Sequence, residues 1–148
     1  MPELEAQFTA RLSTAARKMR SLFDSRVREH GLTLARAQAL LLLAGQKDWN
    51  QSELAAALEI EQPSVAKLLD GLEKQGFILR SPVESDRRVK RIELTDAAQA
   101  QVRQIQDMTH SIRADLLQNI DRQSLETALS VLHEITKKIE EMPAGMPE

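Results

Sequence analysis

The chain has 148 residues and a mass of 16.6 kDa, one domain's worth, and its 42% hydrophobic and 28% charged residues are the balance of a folded soluble protein. Twenty Lys+Arg against 22 Asp+Glu leave a formal charge of −2, so no global basicity points to nucleic acid, and the absence of cysteine excludes disulfides, thiol catalysis and cysteine-ligated zinc. No apolar run approaches the roughly 18 residues of a membrane span, and the acidic start Met1-Pro2-Glu3-Leu4-Glu5 lacks a signal peptide's apolar core, so a cytoplasmic protein is expected.

In chain order, Leu4, Phe8, Leu12, Ala15, Met19 and Leu22 recur every three or four residues and predict one long amphipathic helix ending near His30-Gly31. Thr33 can cap a second, leucine-rich helix running to Ala44-Gly45. Asn50 followed by Glu53 reads as a capping box opening a short helix from Gln51 to Leu58. A fourth helix tolerates Pro63 in its first turn and runs to Gln75, where Gly76 ends it. The period then changes. Phe77 to Arg80 and Val89 to Leu94 predict a β-hairpin whose long charged tip is 81–88. Thr95 caps a fifth helix with Ala98, Val102, Ile105, Thr109, Ile112 and Leu116 on one stripe, and Asp121 caps a sixth with Leu125, Leu129, Leu132, Thr136 and Ile139. The tail from Pro143 is expected to fray.

Three helices and a hairpin make a winged helix-turn-helix, so the fold class is mainly α with a small β wing, an α+β arrangement. In the fourth helix Val65, Leu68, Leu69 and Leu72 share the inward face, while Gln62, Ser64, Lys67 and Lys74 lie opposite or in the leading turn. Such side chains suit a major-groove reader: Gln pairs with adenine, Lys with guanine, Ser with bases or phosphate. Spacing alone leaves a second reading open, an ordinary solvated helix face. Charge is uneven along the chain: net +5 from Arg11 to Arg28, net +3 from Arg80 to Arg91 and net −4 from Thr95 onward. Either basic cluster could equally be a solvated surface. The stripes of the fifth and sixth helices would expose a long apolar seam on a monomer, so a homodimer is expected.

Ile60-Glu61-Gln62-Pro63-Ser64, the stretch Leu69-Asp70-Gly71-Leu72-Glu73-Lys74-Gln75-Gly76, and Ser85-Asp86-Arg87-Arg88-Val89-Lys90-Arg91-Ile92-Glu93-Leu94-Thr95 resemble the MarR family of regulators, and within it the SlyA-like branch. The resemblance runs from the first helix to the sixth and is weaker outside residues 51–95. It implies a single domain over 1–148, with helices in 1–31 and 96–142 forming the dimerisation region and 33–95 forming the DNA-binding lobe. Two lobes would read the half-sites of a pseudo-palindrome in double-stranded DNA. It also implies that Gln62, Pro63, Ser64 and Lys67 face the major groove. Lys67 stands where many relatives carry arginine, which shifts its expected contact toward phosphate. Arg87 or Arg88 would enter the minor groove, oriented by Asp86, with Lys90 beside them, and Ser52 would bind a phosphate at the start of the third helix.

Arg17-Lys18-Met19-Arg20 resembles the SlyA-branch segment that supplies two pocket arginines. This implies a small aromatic carboxylate effector near Arg17, Met19, Arg20, Ala37 and Leu41. The alternative is that these arginines pair between subunits or face water. His30, His110 and His133 fall on separate elements without metal spacing, and no phosphate loop appears, so neither an enzyme nor a cofactor is expected. The default mechanism is repression by promoter occlusion. Activation by displacing a silencing protein, or a winged helix used only for protein contact, are the alternatives.

Overall fold

The computed structural model describes the backbone of residues 1–45, 48–83 and 86–145, and their side chains apart from those of 83–90. The elements run α1 (Pro2–Arg28), α2 (Leu34–Leu43), α3 (Gln51–Leu58), α4 (Gln62–Lys74), β1 (Ile78–Val83), β2 (Asp86–Leu94), α5 (Asp96–Leu116) and α6 (Arg122–Glu141). This is the mainly helical fold with a two-stranded antiparallel wing that the hydrophobic periodicity predicts. The chain forms two compact units, Met1–Ser111 and Ile112–Glu148.

Local chemistry sets the boundaries of the first unit. α1 closes at a corner where Gly31 takes φ +76° and the Leu32 N–H reaches the Val27 carbonyl at 3.2 Å. Thr33 then caps α2, its hydroxyl accepting from the Arg36 N–H at 3.3 Å. Asn50 and Glu53 form the reciprocal box: the Asn50 side chain accepts from the Glu53 N–H at 2.8 Å, and Glu53 accepts from the Asn50 N–H at 3.3 Å. Asn50→Ala is therefore expected to cost about 1 kcal/mol of stability, measured as a lower urea midpoint with unchanged m-value. The turn between α3 and α4 pivots on Glu59 at φ 56°, a left-handed conformation, with the Ile60 N–H donating to the Ala55 carbonyl at 3.1 Å.

The core of this unit is apolar. Leu40, Leu54, Leu69, Leu72, Ile78 and Ile105 are fully buried, so α2, α3, α4, β1 and α5 converge on one cluster. The inward residues of α4 are those its spacing predicts, Val65, Leu68, Leu69 and Leu72.

The hairpin departs from expectation. Its strands extend to Val83 and Asp86, well into the segment expected as a long tip. The Thr95 N–H donates to the Phe77 carbonyl at 3.0 Å, which fixes the alternation of the ladder. Pro82, opposite Lys90, then falls at a position whose nitrogen faces away from β2, so the strand passes through it without losing a ladder bond. Beyond that pair the register jumps to Val83 opposite Asp86, and Arg87, Arg88 and Val89 form a bulge on β2.

In the second unit Asp121 caps α6, accepting from the Ser124 N–H at 3.1 Å and its hydroxyl at 2.7 Å. These bonds hold the Asp121 carboxyl below its ordinary range. No residue of α6 is buried within one chain. Leu129 stays 67% exposed and Ile139 63%, on the stripe shared with Leu125 and Leu132.

Candidate nucleic-acid interface

The exposed start of α4 lies beside the start of α3. The Gln62 side-chain amide donates to Ser52 Oγ at 2.9 Å. That bond uses one amide hydrogen and leaves the second and the carbonyl oxygen of this exposed side chain, a donor and an acceptor of the kind that pair with adenine. Pro63, Ser64 and Lys67 are exposed on the same part of the helix. No side chain caps this N-terminus: Glu61, the residue before it, makes no capping bond. Gln62, Pro63, Ser64 and Lys67 are therefore brought together, with Ser52 joined to them through Gln62, while Lys74 lies at the far end of the helix.

The basic cluster around the hairpin divides. Arg80 is not a free positive charge: its Nη2 donates to Asp70 Oδ1 at 2.6 Å and its Nε to Glu73 Oε2 at 2.7 Å. Both carboxylates belong to α4, so Arg80 ties the first strand of the wing to that helix, and their hydrogen bonds raise its pKa further. Its side chain is 18% exposed while the two carboxylates are 57% and 43% exposed, so this is a charge-assisted, two-point tie at the surface. Arg91 lies 3.6 Å from both Asp48 and Glu93. The remaining basic residues of the cluster are Arg87, Arg88 and Lys90. Their backbone is in β2, while their side chains, with that of Asp86, lie outside the described residues.

A cavity of about 730 Å³ opens among α1, α2 and the turn after α3. Arg17, Arg20 and Leu41 line it, together with Asp24, Gln38 and Ile60. Met19 and Ala37, expected in the same group, are placed elsewhere: Met19 is exposed and Ala37 is buried in the core. Arg17 and Arg20 are exposed in the single chain and, among the described residues, have no ion-pair partner. Asp24 is committed otherwise, accepting from Arg28 Nε at 2.8 Å and from the Leu34 N–H at 3.2 Å. Chiefly through the Arg28 bond, its carboxyl sits below the usual range. Sequence reasoning missed Asp24, Gln38 and Ile60 as lining residues because they come together only when α2 folds back on α1 and α3 follows.

A model of the MarR family matches residues 32–90, the stretch from α2 through the bulged segment of the wing. The crystal structure of a transcriptional regulator, PA3341, is 36% identical over 91% of this chain and 99% of its own, with a TM-score of 0.82. The transcriptional regulator SlyA is 21% identical, with a TM-score of 0.80 over 90% of this chain and 94% of its own. MepR of S. aureus, crystallised with DNA, is 22% identical, with a TM-score of 0.80 over 89% and 97%. At these lower identities the last two speak for the fold. Among the described residues no helix is long and apolar enough to cross a membrane.

Proposed function

We propose, from the premise that this chain belongs to the MarR family of transcriptional regulators, that it binds double-stranded DNA as a homodimer and represses nearby genes. The observation that carries this is Gln62, held by Ser52 at the exposed, uncapped start of α4 with Ser64 and Lys67 alongside. Such a helix end presents a fixed donor and acceptor to base edges and backbone N–H groups to phosphate. The exposed stripe of α6 supports the dimer, and two lobes related by a twofold axis suit a pseudo-palindromic site.

Because the net charge is −2, binding must come from local basic groups meeting phosphates. Fluorescence anisotropy with the duplex upstream of the protein's own gene is the test. Affinity should fall on the order of a thousandfold between about 50 and 200 mM salt, as expected for several phosphate contacts. No binding at the lower salt would refute the function, and a salt-independent constant would refute the electrostatic mode.

Relief of repression by a small anionic aromatic ligand is the second part of the proposal. The cavity lined by Arg17 and Arg20 supports it: both guanidiniums are free to accept a carboxylate, and Leu41, Leu42 and Ile60 supply apolar wall. A ligand there relieves repression only by preferring the lobe arrangement that DNA does not. Calorimetric titration of salicylate-like and larger aromatic acids should show binding that weakens in Arg17→Ala and Arg20→Ala. Equal affinities in all three proteins would eliminate the site.

A further inference from the structure

Gly71 stands in the middle of α4, where glycine weakens a helix and where its own backbone is ordinary. The reason lies on α2. A Cβ at Gly71 would come within 2.6 Å of Arg36 Cζ and 3.1 Å of its Nε, and closer still to a terminal nitrogen. The guanidinium occupies the space a side chain would fill. From that seat Arg36 Nη1 donates to Gln75 Oε1 at 3.0 Å, and Gln75 Nε2 donates to the Gly31 carbonyl at 3.3 Å. The neighbouring carbonyl, that of His30, accepts from Gln101 Nε2 of α5 at 3.1 Å. The corner between α1 and α2 is thus bonded to the end of α4 and to α5 by side-chain amides.

We infer that Arg36, seated over Gly71 and bonded through Gln75 to the Gly31 carbonyl, is a positioning residue that sets how the DNA-reading helix α4 is held against the α1–α2 corner. This rests on the proposed DNA binding, and it adds residues that touch neither the polar leading turn nor the wing. The apolar core fixes the depth of α4 through Val65, Leu68, Leu69 and Leu72. The hydrophobic effect itself is not directional, so hydrogen-bonded contacts add a separate constraint on rotation about the helix axis and sliding along it. A planar guanidinium wedged against backbone and bonded to the last turn restricts both. The leading turn, with Gln62, is then aimed from the other end of the same rigid rod.

The seat makes an unusual prediction, because alanine at Gly71 favours the helix while evicting Arg36. Gly71→Ala should unfold at the same temperature as the wild type or higher, yet bind the upstream duplex about tenfold more weakly. It removes no charge, so that loss cannot be electrostatic. Arg36→Ala should lose a similar factor, and the double variant no more than either single, since both break one linkage. Amide hydrogen exchange in the free protein should quicken at Gln75, Gly76 and Phe77 in both single variants, against the direction of any gain in stability. Wild-type affinity in Gly71→Ala, or losses that multiply in the double variant, would overturn the inference. Should the wild type itself fail to bind the duplex, the DNA reading falls, and the inferred positioning role for DNA falls with it. Unchanged exchange in both single variants would refute the linkage itself, whatever the DNA result.

Discussion

Replacing Arg87 and Arg88 together with alanine is expected to lower affinity for the upstream duplex by at least a hundredfold, while the fold and the subunit association stay as they are. Each arginine that reaches a groove or a phosphate contributes roughly 1–3 kcal/mol, and in a dimer each is lost twice. The two residues lie in the bulged part of β2, opposite no residue of β1, so truncating them breaks no cross-strand pair. Surface truncations of that kind stay within about 0.5 kcal/mol in stability. Arg80 sharpens the expectation. Because Asp70 and Glu73 neutralise it, Arg80 is not available to compensate. The salt dependence should flatten as well, by about 0.9 in the log–log slope for each phosphate contact removed. Anisotropy at several salt concentrations measures both quantities, and an unchanged affinity would refute the docking of the wing.

Leu129→Glu combined with Leu132→Glu should convert the proposed dimer into a species of 16.6 kDa. Three residues apart on α6, both point along the stripe that one chain leaves uncovered. A self-complementary interface takes in each substitution twice, so four carboxylates would enter one apolar seam without partners. A monomer also loses the second half-site. Tethered lobes gain on the order of a hundredfold or more in apparent affinity from effective concentration, so operator binding should fall by at least that factor. Sedimentation equilibrium decides the first point, and anisotropy the second. A wild type that sediments as a folded monomer at micromolar concentration would remove the basis for both.

Periodicity and caps carried the helices. Asn50 with Glu53, Thr33 and Asp121 announce three N-termini that the structure places where those residues stand, because capping is decided within four residues. The hairpin was legible as a hairpin but not in its extent. Pro82 reads as a strand breaker, and only the phase of the ladder shows that its nitrogen faces away from the partner strand. The exposed face of α4 is legible as a set of polar residues, whereas the bond from Gln62 to Ser52 depends on the angle of the turn at Glu59, a left-handed residue that composition does not betray. In the sequence Arg80 belongs with the wing's positive charges, because the two carboxylates that neutralise it lie seven and ten residues away on another element. Gly71 was the one local clue to Arg36, since a glycine inside a helix with ordinary dihedral angles calls for a neighbour that needs the room.

Pro82 has a consequence beyond the wing's own geometry. A two-stranded sheet has an open side on each strand, and an extended chain from elsewhere could dock there by backbone pairing, since main-chain groups recognise one another without regard to sequence. With its nitrogen turned outward, Pro82 removes one of the few donors on the outer side of β1, and its ring stands where an added strand would have to lie flat. A two-stranded wing is thereby protected from pairing edge to edge with a copy of itself, the first step by which crowded chains zip into fibrils.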